Sequence, residues 1–468
     1  MSKETVIMSR PLYGQVADLL KEEIASGKLS GNFPTEDELG NRLKVSRVTI
    51  RKAMANLKSE GLIRSYRGRG TFVAQTAPKV HSRVLKIASY CCDPEFDIQR
   101  QIYKGFEKRF PGLKIESMFC AETSCYSDFL IENLEGRVCP DIFMFSESQF
   151  PYLRQRGIFR ELEIKKIIGN ESLFFNRPFE IFSKNKDLLF GVPYIFSPLA
   201  LFVNRTYFRE GIIPELPTWE TLTSVAKKIQ KENGGGEGFL LPYETPNRWP
   251  LFLLQRGVEI ISGKGKDACC MMDSPEAVET IIWLTNLLYC DKITGALCPD
   301  SSELFAEGLG AILLSSLYLL NKFEGRLDFD WDVLPVPVPA AGAANLLIIT
   351  GFGISKSCEY VEAAEQFLSY MLSPEIQNLL ATQNVACPVR KSALPYLSPR
   401  VQSRFDAILS PEILERSVLL VDHPEVHAIR MIIQVEMNKV WMKLQSPAAG
   451  CHNIVNKVKK CLHGAQCL

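Results

Sequence analysis

The residues of this 468-residue chain best suited to chemistry lie near its start. Arg47, Thr49 and Arg51 fall within little more than one helical turn, and Arg67 and Arg69 bracket Gly68 a short distance on. An arginine can fork onto the acceptor edge of guanine. A threonine can meet a phosphate or a thymine methyl, and a second arginine can hold a phosphate. A glycine between two arginines lets the backbone turn tightly against a groove. Any one of these arginines would ordinarily be a solvated surface side chain. Their concentration in one small segment points instead to nucleic acid. Other chemistry lacks its signatures: no Gly-x-Ser-x-Gly elbow, phosphate loop or His-Glu-x-x-His occurs. No Cys-x-x-Cys pair is found among the fourteen cysteines, and the five histidines do not join them at ligand spacing, so no metal site is expected.

The elements that must position these groups are legible as periodicities. Val16, Leu19, Leu20 and Ile24 mark one face of a helix over Tyr13–Ala25. A second helix begins at Thr35, whose hydroxyl and Glu38 form a capping box. A third begins at Ser46 and carries Ile50, Ala53 and Leu57 inward, leaving Arg47 and Arg51 on the opposite face. Residues 62–66 and 71–74, joined by Arg67-Gly68-Arg69-Gly70, read as a two-stranded wing. Charge follows this division. The first eighty residues hold fourteen Lys and Arg against eight Asp and Glu, while the remainder holds 40 against 45. A basic head and a slightly acidic body result.

Residues 75–83 read as a polar linker. From Val84 the chain alternates strands and helices: strands over Val84–Tyr90, Lys114–Phe119 and Asp141–Phe145, helices over Ile98–Arg109 and Asp128–Leu134. That alternation predicts a mainly parallel sheet covered on both faces, in a body long enough for two lobes. The start shows no signal-peptide pattern and no stretch is long and apolar enough to span a bilayer, so a cytoplasmic protein with no membrane partner is expected. The adjacent pairs Cys91–Cys92 and Cys269–Cys270 read as small core residues.

Residues 10–74 resemble the winged-helix domain of the GntR family of bacterial regulators. The matching pieces are PLYGQVADLL, IASGKLSG, PTEDEL, VSRVTIRKAMANLKSEGLI and RGRGTFV, in order and at the family's spacing. The resemblance implies a homodimer reading a palindromic double-stranded DNA operator. Ser46, Arg47, Thr49, Arg51 and Gly68 match the family's DNA contacts. Asp37 stands where relatives often carry arginine, so their operator sequences do not transfer.

Residues 84–465 resemble the family 1 extracellular solute-binding proteins, the sugar-binding components of bacterial ABC importers. The blocks are FGVPY, LFVNRTYFREGI with PTWETL, LFAEGLGAILLSS, WDVLPVPVP, GFGIS, AEQFLSYMLSPEIQ and PVRKSAL. The fold class expected is therefore multidomain. Residues 1–74 form an α+β winged helix-turn-helix, 75–83 a linker, and 84–468 a two-lobed α/β body like the type II periplasmic binding proteins. The resemblance implies a carbohydrate-like effector, a mono- or oligosaccharide, held between the lobes, and no cofactor. Sugars are bound by aromatic faces and by polar groups paired with hydroxyls, at loops beyond strand ends. Those positions are Tyr90 and Asp93, Ser146 and Glu147, and Tyr194. Trp249, in the polar loop Asn247-Arg248-Trp249, is the expected stacking residue. Tyr318 and Phe352 fall where the family tends to place cleft residues. Trp219, Trp283 and Trp331 are read as structural. A rival reading is a pyridoxal-phosphate-binding, aminotransferase-like body with Lys356 as the Schiff-base lysine. The partner segments that cofactor needs are missing, and a regulator rather than an enzyme is expected.

Overall fold

The computed structural model describes residues 12–25, 28–29, 31–66, 70–74, 83–90, 95–120, 126–136, 139–233, 237–294 and 300–462. The chain divides into two compact units, Met1–Arg83 and Val84–Leu468.

In the head, α1 (Leu12–Ala25), β1 (Asn32–Phe33), α2 (Glu36–Leu43), α3 (Arg47–Ser59), β2 (Ile63–Tyr66) and β3 (Gly70–Val73) follow in order. Val16, Leu20, Leu39, Ile50, Ala53 and Leu57 make the core. Leu19, predicted to face it, is exposed, and Ala17 is buried in its place, so the apolar stripe of α1 is narrower than the sequence pattern suggests. Thr35 Oγ1 accepts the Glu38 N–H at 3.3 Å while the Glu38 carboxylate accepts the Thr35 N–H at 2.8 Å, closing the predicted capping box. Lys44 ends α2 in the left-handed conformation, φ 53°. Ser46 then caps α3 by accepting the Thr49 N–H at 3.2 Å. These local bonds set the turn between α2 and α3.

The body is organised by β4 (Arg83–Tyr90), α4 (Glu95–Arg109), β5 (Leu113–Cys120), α5 (Tyr126–Glu135), β6 (Ile142–Ser146), β7 (Val192–Asn204), β8 (Ile312–Ser316), β9 (Trp331–Pro335), β10 (Asn345–Ile354) and α6 (Val426–Trp441). Along the sheet the order is β8, β7, β10, β6, β4, β5, with β9 also on β7. The mainly parallel sheet predicted from strand-helix alternation is corrected here. β4 and β6 are parallel, but β10 runs antiparallel to both β6 and β7, and β8 and β9 run antiparallel to β7. Hydrophobic period reports which face a residue takes, not the direction of its neighbour.

β7 connects the two lobes. Its first half, from Val192 to Pro198, pairs with β10, and its second half, from Leu199 to Asn204, pairs with β8 and β9. Ala200 and Phe202 enter one hydrophobic core, while Leu199, Leu201 and Val203 enter the other. The GFGIS block owes its glycines to packing. A Cβ on Gly351 would lie 2.8 Å from the Phe182 ring, and one on Gly353 would lie 2.7 Å from that of Phe159. Cys270 is buried but Cys269 is exposed, and Cys91 and Cys92 lie outside the described residues. Eight described cysteines are free, whereas Cys461 in the last helix is disulfide-bonded.

Candidate functional site

The first turn of α3 presents Arg47, Val48, Thr49 and Arg51 to solvent, above the buried Ile50, Ala53, Met54 and Leu57. Both arginine side chains are about 70% exposed. Each leans on an acid from α2. Arg51 donates to the Glu36 carboxylate at 2.9 and 3.2 Å, and Arg47 forms an ion pair with Asp37. The Arg51 guanidinium holds the Glu36 carboxyl below the usual carboxylate range. The pairing of Asp37 with Arg47 is a link the sequence did not reveal. Arg67, Gly68 and Arg69 lie outside the described residues. The strands on either side pair Tyr66 with Gly70.

In the body, a cavity of about 270 Å³ gathers five of the eight predicted ligand residues: Tyr90, Ser146, Tyr194, Tyr318 and Phe352. Strand ends of β4 and β6 supply the first two, and the hinge strands β7 and β10 supply Tyr194 and Phe352. The rings of Tyr194 and Phe352 lie 4.9 Å apart. The Tyr318 hydroxyl meets Thr350 Oγ1 at 3.0 Å, adding a polar residue that sequence reasoning missed. The walls are otherwise largely apolar. Asp93 lies outside the described residues.

Two expectations change. Trp249, the predicted stacking residue, is fully buried, its ring 5.6 Å from that of Trp441 in the second core. The loop has a polar and an apolar side, and the indole takes the apolar one because the buried helix Leu251–Gln255 follows directly. Glu147 is buried beside the cavity and is not part of its lining. Its carboxylate accepts the Ile349 N–H at 3.2 Å. Burial pushes this carboxyl up, against the pull of Arg430 and of that N–H.

Arg248, next to Trp249, takes the polar side. It donates to Ser315 Oγ at 3.3 Å, Ser316 Oγ at 3.1 Å and Asn247 Oδ1 at 2.6 Å. Burial lowers its pKa to about 10 despite the nearby Glu147 and Glu244, and raises that of Glu244 to about 7. A second cavity, of about 460 Å³, lies between α5 and the start of α6, lined among others by Ser148, Gln149, Pro246, His427 and Arg430. The Ser146 and Ser148 hydroxyls, 2.8 Å apart, stand between the two cavities. Only Arg248 had a sequence cue, its place in the Asn-Arg-Trp loop. Arg430 sits in an amphipathic helix with none. Hydroxyls, amides, guanidiniums and carboxylates beside aromatic rings are the groups that bind a hydroxylated small molecule.

Comparison with known proteins fits both halves. Residues 97–378 match the bacterial extracellular solute-binding protein model, well over half of the chain. The chain belongs to this family. Its residues 12–73 match the gntR family of bacterial regulatory proteins. Both families are named for binding or regulation and neither for a reaction. Over the head the chain is 36% identical to the transcriptional repressor NagR of Bacillus subtilis across 85 residues, 18% of this chain and 34% of that protein. Against the mannosyl-D-glycerate transport and metabolism repressor MngR of Escherichia coli it is 36% identical across 83 residues, 17% and 34% of the two chains. The chain thus spans about a third of the length of these curated relatives.

The body matches solved structures end to end. An ABC substrate-binding protein from Listeria monocytogenes in complex with cycloalternan superposes with TM-score 0.71 at 22% identity, covering 82% of this chain and 99% of that one. The GacH receptor of Streptomyces glaucescens, solved with acarbose, gives 0.69 at 17% identity, with coverage of 82% and 100%. UgpB of Mycobacterium tuberculosis, in complex with glycerophosphocholine, gives 0.66 at 16%, with coverage of 81% and 98%. This architecture, a winged helix-turn-helix ahead of a two-lobed solute-binding fold, is the one expected. Lys356, central to the pyridoxal phosphate reading, is exposed and lines neither cavity. Among the described residues no helix is long and apolar enough to cross a membrane.

Proposed function

We propose that this chain is a transcription regulator whose operator affinity is set by a saccharide held between the lobes of its body. The observation that carries the reading is the coexistence of two recognition surfaces in one chain. The α3 face bears Arg47, Thr49 and Arg51, and the body gathers Tyr90, Ser146, Tyr194, Tyr318 and Phe352 around one cavity. In this reading Ser46, Arg47, Thr49 and Arg51, with Arg67, Gly68 and Arg69 in the wing, contact duplex DNA. The domain limits are 1–74 and 84–468, with 75–83 as linker. The protein acts in the cytoplasm as a homodimer on a palindromic operator. Cycloalternan and acarbose in the bodies of structural relatives support a carbohydrate ligand.

Lobe closure on the ligand is the natural input, since hinged two-lobed receptors close on what they bind. A coupling of about 1–3 kcal/mol between the sites would change operator affinity roughly 5- to 150-fold. The test begins with selection of duplexes from a random library by the full-length protein. Anisotropy titration of the selected duplex, with and without each member of a saccharide panel, follows. A selected palindrome whose affinity shifts with one saccharide is the expected result. The absence of any duplex bound at low salt would end the proposal.

A further inference from the structure

Arg430 lines the larger cavity, and among the described residues its guanidinium has no hydrogen-bond or ion-pair partner. Its surroundings make this unusual. Elsewhere in the body arginines meet carboxylates directly: Arg205 meets Asp332 at 2.7 Å, Arg326 meets Glu303 at 2.7 Å, and Arg400 meets Glu324 at 3.3 Å. Arg248, close enough to Arg430 for the two charges to repel, is held by serine hydroxyls and an asparagine amide rather than by a carboxylate. Glu147, the carboxylate whose charge acts on both, spends its hydrogen bond on the Ile349 N–H instead of on either guanidinium. A partly buried cation is costly unless it is paired. Arg430, on the wall of a cavity that Asp128 and Glu425 also line but without a bonded acid, and with the charge of Arg248 acting on it from nearby, forms a site waiting for a negative charge. Charge-assisted bonds from guanidinium to carboxylate or phosphate are short and about twice as strong as neutral ones.

We propose that the effector carries an anionic group, a carboxylate or a phosphate on a hydroxylated skeleton, and that Arg430, backed by Arg248, receives it. The inference rests on the saccharide-sensor reading and narrows it. Ser148, on the same cavity wall, is placed to meet a neighbouring hydroxyl besides its bond to Ser146. Burial raises the pKa of Glu147, and that of Glu244 to about 7, the direction that weakens their neutralisation of the two arginines, in keeping with this assignment.

The test uses full-length protein and three salts at matched ionic strength: sodium phosphate, sodium acetate and sodium chloride. Phosphate or acetate is expected to raise Tm above the chloride control in the wild type, and which of them does so separates the two anion sources. Arg430→Gln should abolish that rise and Arg430→Lys should keep part of it. Because Arg430 is unpaired and repelled by Arg248, Arg430→Gln is also expected to leave the ligand-free Tm unchanged or raised. An anion response equal in wild type and Arg430→Gln, no response above chloride, or a clear fall in the ligand-free Tm of Arg430→Gln would overturn the proposal. Glucose, glucuronate and glucose 6-phosphate complete the experiment. A neutral sugar binding equally to both proteins removes the anionic inference and leaves the sensor standing. Failure of every saccharide, neutral or acidic, to shift Tm or DNA affinity removes the sensor itself.

Discussion

Arg47 and Arg51 of the head sit in water against carboxylates, whereas Arg248 and Arg430 of the body are partly buried and lean on neutral groups or on none. Exposed ion pairs are weak and salt-screened, so Arg47 and Arg51 can leave Asp37 and Glu36 for a nucleic acid at little cost. On the proposed reading the acids compete with loosely bound phosphate. In the body the low dielectric strengthens every charge. On the proposed reading the same residue type, placed where water is scarce, selects one ligand group instead of a polyanion.

Four measurements can break or sharpen this contrast. The largest effect belongs to Trp249→Ala. As a core residue against Trp441, its truncation should cost about 3–5 kcal/mol and lower the body's unfolding transition. Saccharide affinity lost with stability intact would return Trp249 to the ligand site. Next, Arg47→Ala should weaken operator binding by about 1–3 kcal/mol, the worth of a bidentate base contact, with saccharide binding unchanged. Equal loss of both activities would deny the division of labour between head and body. Asp37→Ala should act in the opposite direction, raising affinity for random duplex a few-fold by freeing Arg47, with a steeper dependence on salt concentration. An unchanged salt slope in anisotropy titrations would show that the acid does not compete.

The smallest expected effect concerns pH. Burial holds the Glu244 pKa at about 7 in the folded protein, above its ordinary 4.5. The unfolded chain therefore releases this proton first. Stability contributed by protonated Glu244 is present below pH 4.5 and is lost as pH rises to about 7. Glu244→Gln should flatten that part of the Tm-against-pH curve. A wild-type curve and a variant curve that run parallel through this window would show that Glu244 ionises normally.

Much of the head was readable because its determinants are local. A threonine three residues before a glutamate makes a capping box, and a serine before Arg47 caps the next helix, whatever the rest of the chain does. The body's residues at strand ends, Tyr90 and Ser146, were readable for the same reason: strand periodicity marks where a strand stops, and the loop beyond it borders the cleft. Asp37 was noticed only as a departure from relatives. Its pairing with Arg47 required the angle between two helices.

The amino-acid sequence alone determined the order of the elements and the split between a basic and an acidic region. Only the tertiary structure decided the strand directions around β7, and which way the 247–249 loop turned. Trp249 faces inward because Trp441 and Tyr243 form a core there, and Arg248 takes the opposite side because Ser315 and Ser316 arrive from β8 to hold it. Trp441, Ser315 and Ser316 are all remote in sequence. A loop's polar and apolar sides look alike to any local pattern until long-range packing chooses between them.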